Sequence, residues 1–518
     1  MRTKNSFLNF LANTGSHFLN VILSFVCRTV FMYTLSKEYL GVSGLFTDLL
    51  AVLSLAELGI GGAIIYHMYQ PVADKNYQEQ RELMNLYRRM YTVVALVIAV
   101  LGLAVTPFLD VLTKGKSELD VHQLTIIYLL YLFNTVSSYF FCYKRSIIDA
   151  HQKAYIGTIY NTVFTMIQFV VQIAILLLTH NFIAYLLVQI VCNIATNIVV
   201  ARKADKMYPY LKEDTKSLPE PKKKKSIYKN ISAMFMHRVG DVMVNGTDNL
   251  IMSAFVGVIP VGIYSNYMLL QASINTALNG VFVAFTASIG DLGTTKDDES
   301  IFRVYKTLNF LGFWLYGFST IAFLVMFNPF IEVWAGEDMI FPMSMVLLIV
   351  VNFYIAGMRK VTLTFRDAMG LYWYDRYKPI FEVIINLSTS LILVQLIGIE
   401  GVLLGTTIST MTTCWWIEPY VTYKHGFHKS VSHFFRSYAL YTFTTILVGG
   451  FTYWVCNHFT MGGVVEIILK LITCIVVYNV IILLLYGRTQ EFKELWRQAV
   501  KLLQGYLERR RKAKEEQC

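Results

Sequence analysis

The sequence predicts an all-α polytopic membrane protein of about fourteen transmembrane helices, built from a duplicated half with two further spans and a tail. Three observations predict it. The 518 residues are 55% hydrophobic and only 15% charged, with a mean hydropathy of +0.49, and the apolar residues come in runs of about 20, the length that crosses a bilayer as a helix. Polar residues within two of those runs align on one helix face. The pattern of the first half returns in the second when Asn230 is laid on Asn9.

The polar face is clearest in the span at roughly 231 to 258. His237, Arg238, Asp241, Asn245, Asp248 and Asn249 share an arc of about 120° at 100° per residue. Each charge near a bilayer centre costs about 2.5 to 3.5 kcal/mol, so Arg238, Asp241 and Asp248 together would cost roughly 8 to 10 kcal/mol against lipid. They therefore face a cavity or each other: one reading is a hydrophilic transport cavity, the other a buried salt-bridge stripe that locks two helices. The repeat strengthens the first reading. It lays Arg238 on His17, Asp241 on Asn20, Asn245 on Ser24 and Asn249 on Arg28, and in the first copy Asn9, Asn13, Ser16, His17, Asn20, Ser24 and Arg28 again span about 120°. Gly41 then falls on Gly262, Leu49 on Leu270, Ala51 on Ala272, Ala56 on Ala277, Gly59 on Gly280 and Ala63 on Ala284.

In order, spans at roughly 7 to 35, 41 to 69, 91 to 113, 123 to 143, 156 to 179 and 182 to 201 make a first six-span unit, residues 1–201. Between its second and third spans, Gln70 to Met90 is charged and reads as a short surface helix. Residues 202–230 hold Pro219, Pro221 and the run Lys222 to Lys225, a solvated basic linker. Its lysines attract anionic headgroups or simply mark the inside face. The second unit, residues 231–424, repeats the pattern with spans at roughly 231 to 258, 261 to 289, 304 to 327, 340 to 358, 379 to 397 and 400 to 423. Two more spans fill 437–486, at roughly 437 to 457 and 463 to 486, and 487–518 is a cytoplasmic amphipathic tail. Phe492, Leu495, Trp496, Val500, Leu503 and Tyr506 share one side of that tail, and Arg509 to Lys514 close it. With the N-terminus in the cytoplasm, only Lys37, Lys114 and Lys116 of the 45 Lys and Arg residues lie outside, and Arg28, Arg238 and Lys470 lie within spans. That asymmetry puts both termini in the cytoplasm and requires an even span count.

The net charge of +11 comes from inner loops, so it signals topology and membrane lipids rather than nucleic acid. The seven cysteines lie far apart with no CxxC, which argues against a disulfide framework or a metal site. No Walker A, Gly-rich phosphate loop or DxD sugar-nucleotide pattern is present, so the chain reads as a transporter and not an enzyme, passive or ion-coupled. No cofactor is expected beyond a coupling proton or sodium ion.

The candidate site is drawn from charges within spans. Arg28, Arg238 and His17 are cavity cations, and Arg359 with Lys360 at the inner boundary suits a pyrophosphate, which takes several donors and full charge. Alternatively that pair anchors a helix end by snorkelling. Lys306, Glu382 and Glu418 lie at similar depth. Glu57, Asp241, Asn245, Asp248, Asn249 and Asn20 are the cavity, ion-coupling or gating groups. By depth, Glu57 with Arg238 would close the inner side and Arg28 with Asp248 the outer side. Aromatic residues, 14% of the chain, stack on sugars or line the membrane interfaces. Glycines at 59, 61 and 62 permit close helix approach or bending.

Three segments carry a family resemblance: RTVFMYTLSKEYLGVSGLFTDLLAVLSLAELGIGGAIIYHMYQPVA from Arg28 to Ala73, FRDAMGLYWYDRYKPIFEVIINL from Phe365 to Leu387, and GIEGVLLGT from Gly398 to Thr406. With them the whole chain resembles the bacterial polysaccharide-biosynthesis flippases, the O-antigen and capsule repeat-unit exporters. These belong with the lipid II flippases and the multidrug and toxin extruders in the multidrug/oligosaccharidyl-lipid/polysaccharide (MOP) exporter superfamily. The resemblance implies two six-helix lobes, 1–201 and 231–424, related by a pseudo-two-fold along the membrane normal and opening alternately to each side of the bacterial cytoplasmic membrane. It implies an oligosaccharide on undecaprenyl pyrophosphate as cargo and polysaccharide polymerase or synthase machinery as partner. The implied cavity is cationic, matched here by Arg28 and Arg238, with Arg359 and Lys360 a weaker extension. In the lipid II branch the last two spans add a groove for the lipid tail, and spans 13 and 14 would do so here. The sequence departs from the pattern in its mixed cavity: Asp241, Asp248 and Glu57 pair with the arginines or bind a coupling ion. A proton- or sodium-coupled extruder of small molecules is therefore the alternative. A membrane glycosyltransferase would need a large acidic loop, and the longest loop here is lysine-rich.

Overall fold

A computed structural model describes the backbone of residues 2–57, 60–113, 119–213, 216–295, 298–459, 461–498, 500 and 504. Side chains are described for these except 2–8, 10, 11, 13, 14, 56, 62, 63, 229, 230, 232–234, 236–238, 241, 245, 283–295, 298 and 372. Every described element is a helix. Two compact units emerge, Met1–Ser265 with Ser390–Val402, and Asn266–Thr389 with Leu403–Cys518. The first unit thus extends past the basic linker and takes in the polar helix at 231 to 258.

In the first unit, α1 (Arg2–Thr34) is followed by α2 (Lys37–Leu53), a 3-10 turn at Ser54–Glu57, and α3 (Ile60–Ala73). Next come α4 (Tyr77–Val105), the short α5 (Leu109–Leu112), α6 (Val121–Cys142), the short α7 (Arg145–Ala150), α8 (Ala154–Thr179) and α9 (Phe182–Met207). The Asn76 side chain accepts from the Glu79 amide and so starts α4, and Asn181 accepts from Ala184 to start α9. Because α4 is continuous from Tyr77, the charged stretch after Gln70 is the adjoining ends of α3 and α4 rather than a separate surface helix. Pro221 opens α10 (Pro221–Phe255), which packs on α2 and α3, and α11 (Val258–Thr295) begins in this unit. The core is built of residues such as Leu45, Phe46, Leu83, Ile98, Tyr128 and Ile147, each at most 1% exposed.

The linker is strapped down rather than loose. Arg81 pairs with Glu213 at 2.6 Å, Asn85 Nδ2 donates to the Ser217 carbonyl at 3.0 Å, and Arg89 donates to that of Lys216 at 3.2 Å. Tyr210 hydrogen-bonds Gln80, and Lys223 pairs with Glu79. All five anchors on the other side belong to the first turns of α4, so the linker carbonyls of Lys216 and Ser217 find partners other than water.

The second unit holds the rest of α11, then α12 (Asp298–Ala335), α13 (Met343–Ala368), α14 (Lys378–Ile397) as far as Thr389, α15 (Ile399–Thr412) from Leu403 onward, α16 (Cys414–Val421), α17 (Ser432–Cys456) and α18 (Gly463–Tyr486). Here α12 is central, packing on α13, α17 and α18. Aromatic rings fill its core: Phe313 stacks on Tyr441 at 4.2 Å between centres and 6° between planes, and Phe310, Phe327 and Phe365 are buried around it. Residues 490–498 of the tail are helical. Phe492 meets Trp314 of α12 at 5.8 Å, while Trp496 stays 63% exposed, as an interfacial helix requires. Leu503, Tyr506 and Arg509 to Lys514 lie outside the described residues.

Ten described helices are long and apolar enough to cross a bilayer, and large apolar side chains such as Val100, Val170, Leu178, Ile446 and Leu484 point out of the fold. The chain is a multi-pass membrane protein. Each of the fourteen expected spans coincides with a helix or a broken pair, and three of the four outside the ten have physical reasons. The expected span at 41 to 69 is interrupted by the Ser54–Glu57 turn, and that at 400 to 423 breaks at Thr413, whose hydroxyl donates to the Ser409 carbonyl. The helix α10 carries charges, and much of α11 lacks described side chains.

Candidate functional site

The polar groups of the first unit gather where α1, α2, α10 and α11 meet. The backbones touch at two glycines. A Cβ added at Gly41 would lie 1.9 Å from the Val258 carbonyl oxygen, and one at Gly262 would lie 2.9 Å from the Lys37 carbonyl oxygen. The repeat that lays Gly41 on Gly262 also lays Lys37 on Val258. The contact is therefore reciprocal, residue i on j and j on i, as at a two-fold axis. Only glycine allows this approach.

Two polar bridges flank the glycines. Arg28 of α1 donates to Ser265 Oγ of α11, and Asn249 of α10 donates to Asp48 of α2 at 2.5 Å. Arg28 and Asn249 are themselves repeat mates, so each reaches the second helix of the other half. Asp248 beside them is 7% exposed, and Tyr264 lies within electrostatic reach of Asp48 and Asp248. Tyr131 and Tyr185 lie around Arg28, and Ser43 hydrogen-bonds Tyr131 at 2.6 Å. Of Arg28 and Asp248, expected as an outer pair, the first donates to Ser265 and the second lies near Tyr264. Buried charge of this kind persists in a membrane only where polar partners replace water.

The rest of the expected site divides. Asn9 and Ser16 of the α1 stripe bind α8: Asn9 accepts from the Tyr155 amide at 2.7 Å, and Ser16 meets Thr162 at 2.5 Å. These two side chains join α1 to α8. His17 is half-buried against Phe18, and Asn20 Oδ1 is buried with no hydrogen bond among the described residues. Glu57 accepts from Tyr91 at 2.8 Å and lies beside Tyr139. The side chains of Arg238, Asp241, Asn245 and His237 lie outside the described residues, and with them the proposed closure of Glu57 by Arg238.

At the basic end of the second unit, Arg359 is occupied. Its Nε and Nη2 make a forked pair with Glu418 at 2.9 and 2.7 Å, and Lys378 also bonds that carboxylate, which has no exposed surface. A guanidinium spent on a buried carboxylate is a poor phosphate ligand, so the geometry makes Arg359 a structural group. Lys360 is half-buried and pairs with no described carboxylate. Nearby, Arg366 bridges Asp375 at 2.5 Å and Asp367 at 2.8 Å.

No family model and no curated protein matches the chain. Solved structures do. The lipid II flippase MurJ, in an inward closed conformation, is similar with TM-score 0.66 and 13% identity, over 93% of this chain and 99% of that one. An inward-facing multidrug resistance MATE family transporter of the MOP superfamily is similar with TM-score 0.62 and 14% identity, over 78% of this chain and 94% of that one. The chain has the MATE and lipid II flippase fold. The Vibrio cholerae MATE transporter VcmN shares it at TM-score 0.56 and 14% identity, over 83% of this chain and 99% of that one.

Within this MATE and flippase fold, sequence reading missed Asp48, Ser265, Tyr264, Asp375 and Lys378. Asp48 carried a signal, being the sole charge in the run from Tyr39 to Ala56. It was passed over because its repeat mate is Leu269, which breaks the pattern used to find the other residues. Ser265 and Tyr264 carried none, since a hydroxyl in an apolar helix is ordinary.

Proposed function

We propose that the chain flips undecaprenyl-pyrophosphate-linked oligosaccharide units from the inner to the outer leaflet of a bacterial cytoplasmic membrane by alternating access, for export of a surface polysaccharide. Both termini face the cytoplasm in this reading, and a proton or sodium ion drives the cycle. Polymerase or synthase machinery receives the product. One observation carries the choice of a lipid-linked cargo. The pair α17 and α18 leaves an apolar groove of about 410 Å³ lined by Leu440, Phe443, Leu447, Ile481, Leu485 and Tyr486, suited to a hydrocarbon tail that stays in lipid while the headgroup crosses. In keeping with this, the likeness to the lipid II flippase runs over more of the chain than the likeness to the MATE transporter. In this reading Arg28 and Arg238 supply positive charge for the pyrophosphate, and the close approach of Gly41 and Gly262 would serve as the outer closure.

A coupled extruder of small molecules is the second reading, favoured by the half-buried carboxylate of Asp48 and the buried one of Asp248, both near Tyr264. Lipid extracts of cells lacking the protein divide the two. A membrane-impermeant sugar-binding probe should find complete lipid-linked units retained on the inner leaflet, a defect reversed by the wild-type chain and not by Arg238→Ala. Normal lipid-linked intermediates with new sensitivity to cationic compounds would establish the extruder instead.

A further inference from the structure

The loop joining α13 to α14 is pinned from within. Asp375, 4% exposed, holds Arg366, and Lys378, 9% exposed, holds Glu418. Between and before these anchors the chain turns its aromatics outward: Trp373 is 69% exposed and Tyr377 58%. Arg376 lies across both rings, its guanidinium carbon 3.9 Å from the centre of Trp373 and 4.6 Å from that of Tyr377. One of its N–H groups donates to the Trp373 carbonyl at 3.0 Å, and it pairs with no described carboxylate. A second cation sits close by in the same manner. Lys424 lies over Tyr420 at 5.0 Å and donates to its hydroxyl, while Tyr374 stacks on the adjacent His425 at 3.8 Å, joining the two loops.

This rim continues into lipid. Phe381 and Ile384 are exposed on α14 four and seven residues beyond Tyr377, on the same helix face. The rings of Trp373 and Tyr377 therefore stand at headgroup depth on the basic side, which the lysine and arginine asymmetry makes the cytoplasmic one. A guanidinium over two ring faces is held in place by both, and its fork of N–H donors matches a phosphate.

We propose that Arg376, set over the rings of Trp373 and Tyr377 and seconded by Lys424, is a binding surface for the phosphate of anionic phospholipid headgroups in the inner leaflet. The occupant is a lipid and not a soluble anion, because the surface is open, edged by lipid-facing apolar side chains and not enclosed. It anchors the basic end of the second unit at headgroup depth. The assignment rests on topology and is independent of the cargo.

The test titrates the detergent-solubilised full chain with phosphatidylglycerol and reads the first bound lipid by native mass spectrometry. Arg376→Gln should weaken that binding about fivefold, the factor that about 1 kcal/mol per basic side chain at an anionic surface gives. Trp373→Ala should also weaken it, and Arg376→Lys should fall between Gln and wild type. Millimolar inorganic phosphate should not displace the lipid. An unchanged affinity in Arg376→Gln, with unchanged melting to show an intact fold, would overturn the proposal. So would the same loss from Lys224→Gln in the linker with Arg376 intact. Displacement by inorganic phosphate would make the rim a free-anion site and overturn the lipid assignment.

Discussion

Substituting Gly41 by alanine should shift the protein away from the state described here, by an amount the geometry sets. The new Cβ would lie 1.9 Å from the Val258 carbonyl oxygen, where ordinary contact begins at 3.4 Å, so the helix starts must part by about 1.5 Å. The obstructing atom is backbone, which cannot rotate aside. Overpacking of this kind costs about 1 to 3 kcal/mol, so the closed population falls about 5-fold to 150-fold relative to any state in which α2 and α11 are apart. Gly262→Ala should do the same more mildly, since its closest atoms are at 2.9 Å. Gly280→Ala is the control: nothing lies within 4 Å of its added Cβ, and alanine is the better helix former by about 0.5 to 1 kcal/mol. Spin labels at Tyr33→Cys and Ile259→Cys, both exposed, at the end of α1 and the start of α11, report the separation by pulsed electron resonance. Longer distances in Gly41→Ala and Gly262→Ala but not in Gly280→Ala are expected. A wild-type distance distribution in Gly41→Ala would refute the reasoning, because it would show that the approach at Val258 is not a feature of the populated state.

Glu418→Gln should destabilise the second unit by about 3 to 5 kcal/mol, because it leaves Arg359 and Lys378 buried without their shared carboxylate; Lys360→Gln, which breaks no described pair, should move the melting temperature little. Melting in detergent separates the two. His151 packs on Tyr208 with ring centres 4.3 Å apart, and burial pushes its imidazole below the usual pKa, against the Ile147 carbonyl bond that raises it and with Lys153 lowering it further. The folded state therefore binds the proton less readily than the unfolded one. Its contribution is fully present above the unfolded pKa of about 6.5 and is lost as pH falls through the depressed folded value. His151→Phe should flatten the fall in melting temperature between about pH 7 and about pH 5, and an unchanged slope would assign that fall to other groups.

How far the sequence foretold this molecule depended on whether a signal was periodic or singular. Apolar runs and the repeat between Asn9 and Asn230 recur many times, so the helical fold and the pairing of Gly41 with Gly262 were legible. Their spatial contact was not, because a repeat says which positions correspond and not which ones touch. Polar stripes misled in a specific way. Asn9 and Ser16 lie on the same arc as Arg28, yet they serve α8, since a helix face about 120° wide is shared between two neighbours at helix-packing distances. At the basic end of the second unit, Arg359 and Lys360 looked alike by depth, but Glu418 arrives from a helix 59 residues on and takes only one of them. Partners that distant in sequence leave no local trace.

A residue close to a pseudo-dyad meets its own repeat mate, so its volume counts twice, which explains why glycine stands at both 41 and 262. Polar groups one shell out have room to diverge, and they did: where the first half has Arg28, the second has Asn249, and each crosses to a different acceptor, Ser265 and Asp48. Under the proposed function Arg28 would therefore carry two separable properties, a latch to α11 and a positive charge for an anionic cargo. Ser265→Ala removes the latch and leaves the charge, whereas Arg28→Ala removes both. If the charge serves the pyrophosphate, Ser265→Ala should keep most transport while lengthening the distance between labels at positions 33 and 259, and Arg28→Ala should lose transport as well. Equal loss in the two variants would mean that Arg28 acts as a latch alone, and the positive charge for the cargo would then rest on Arg238.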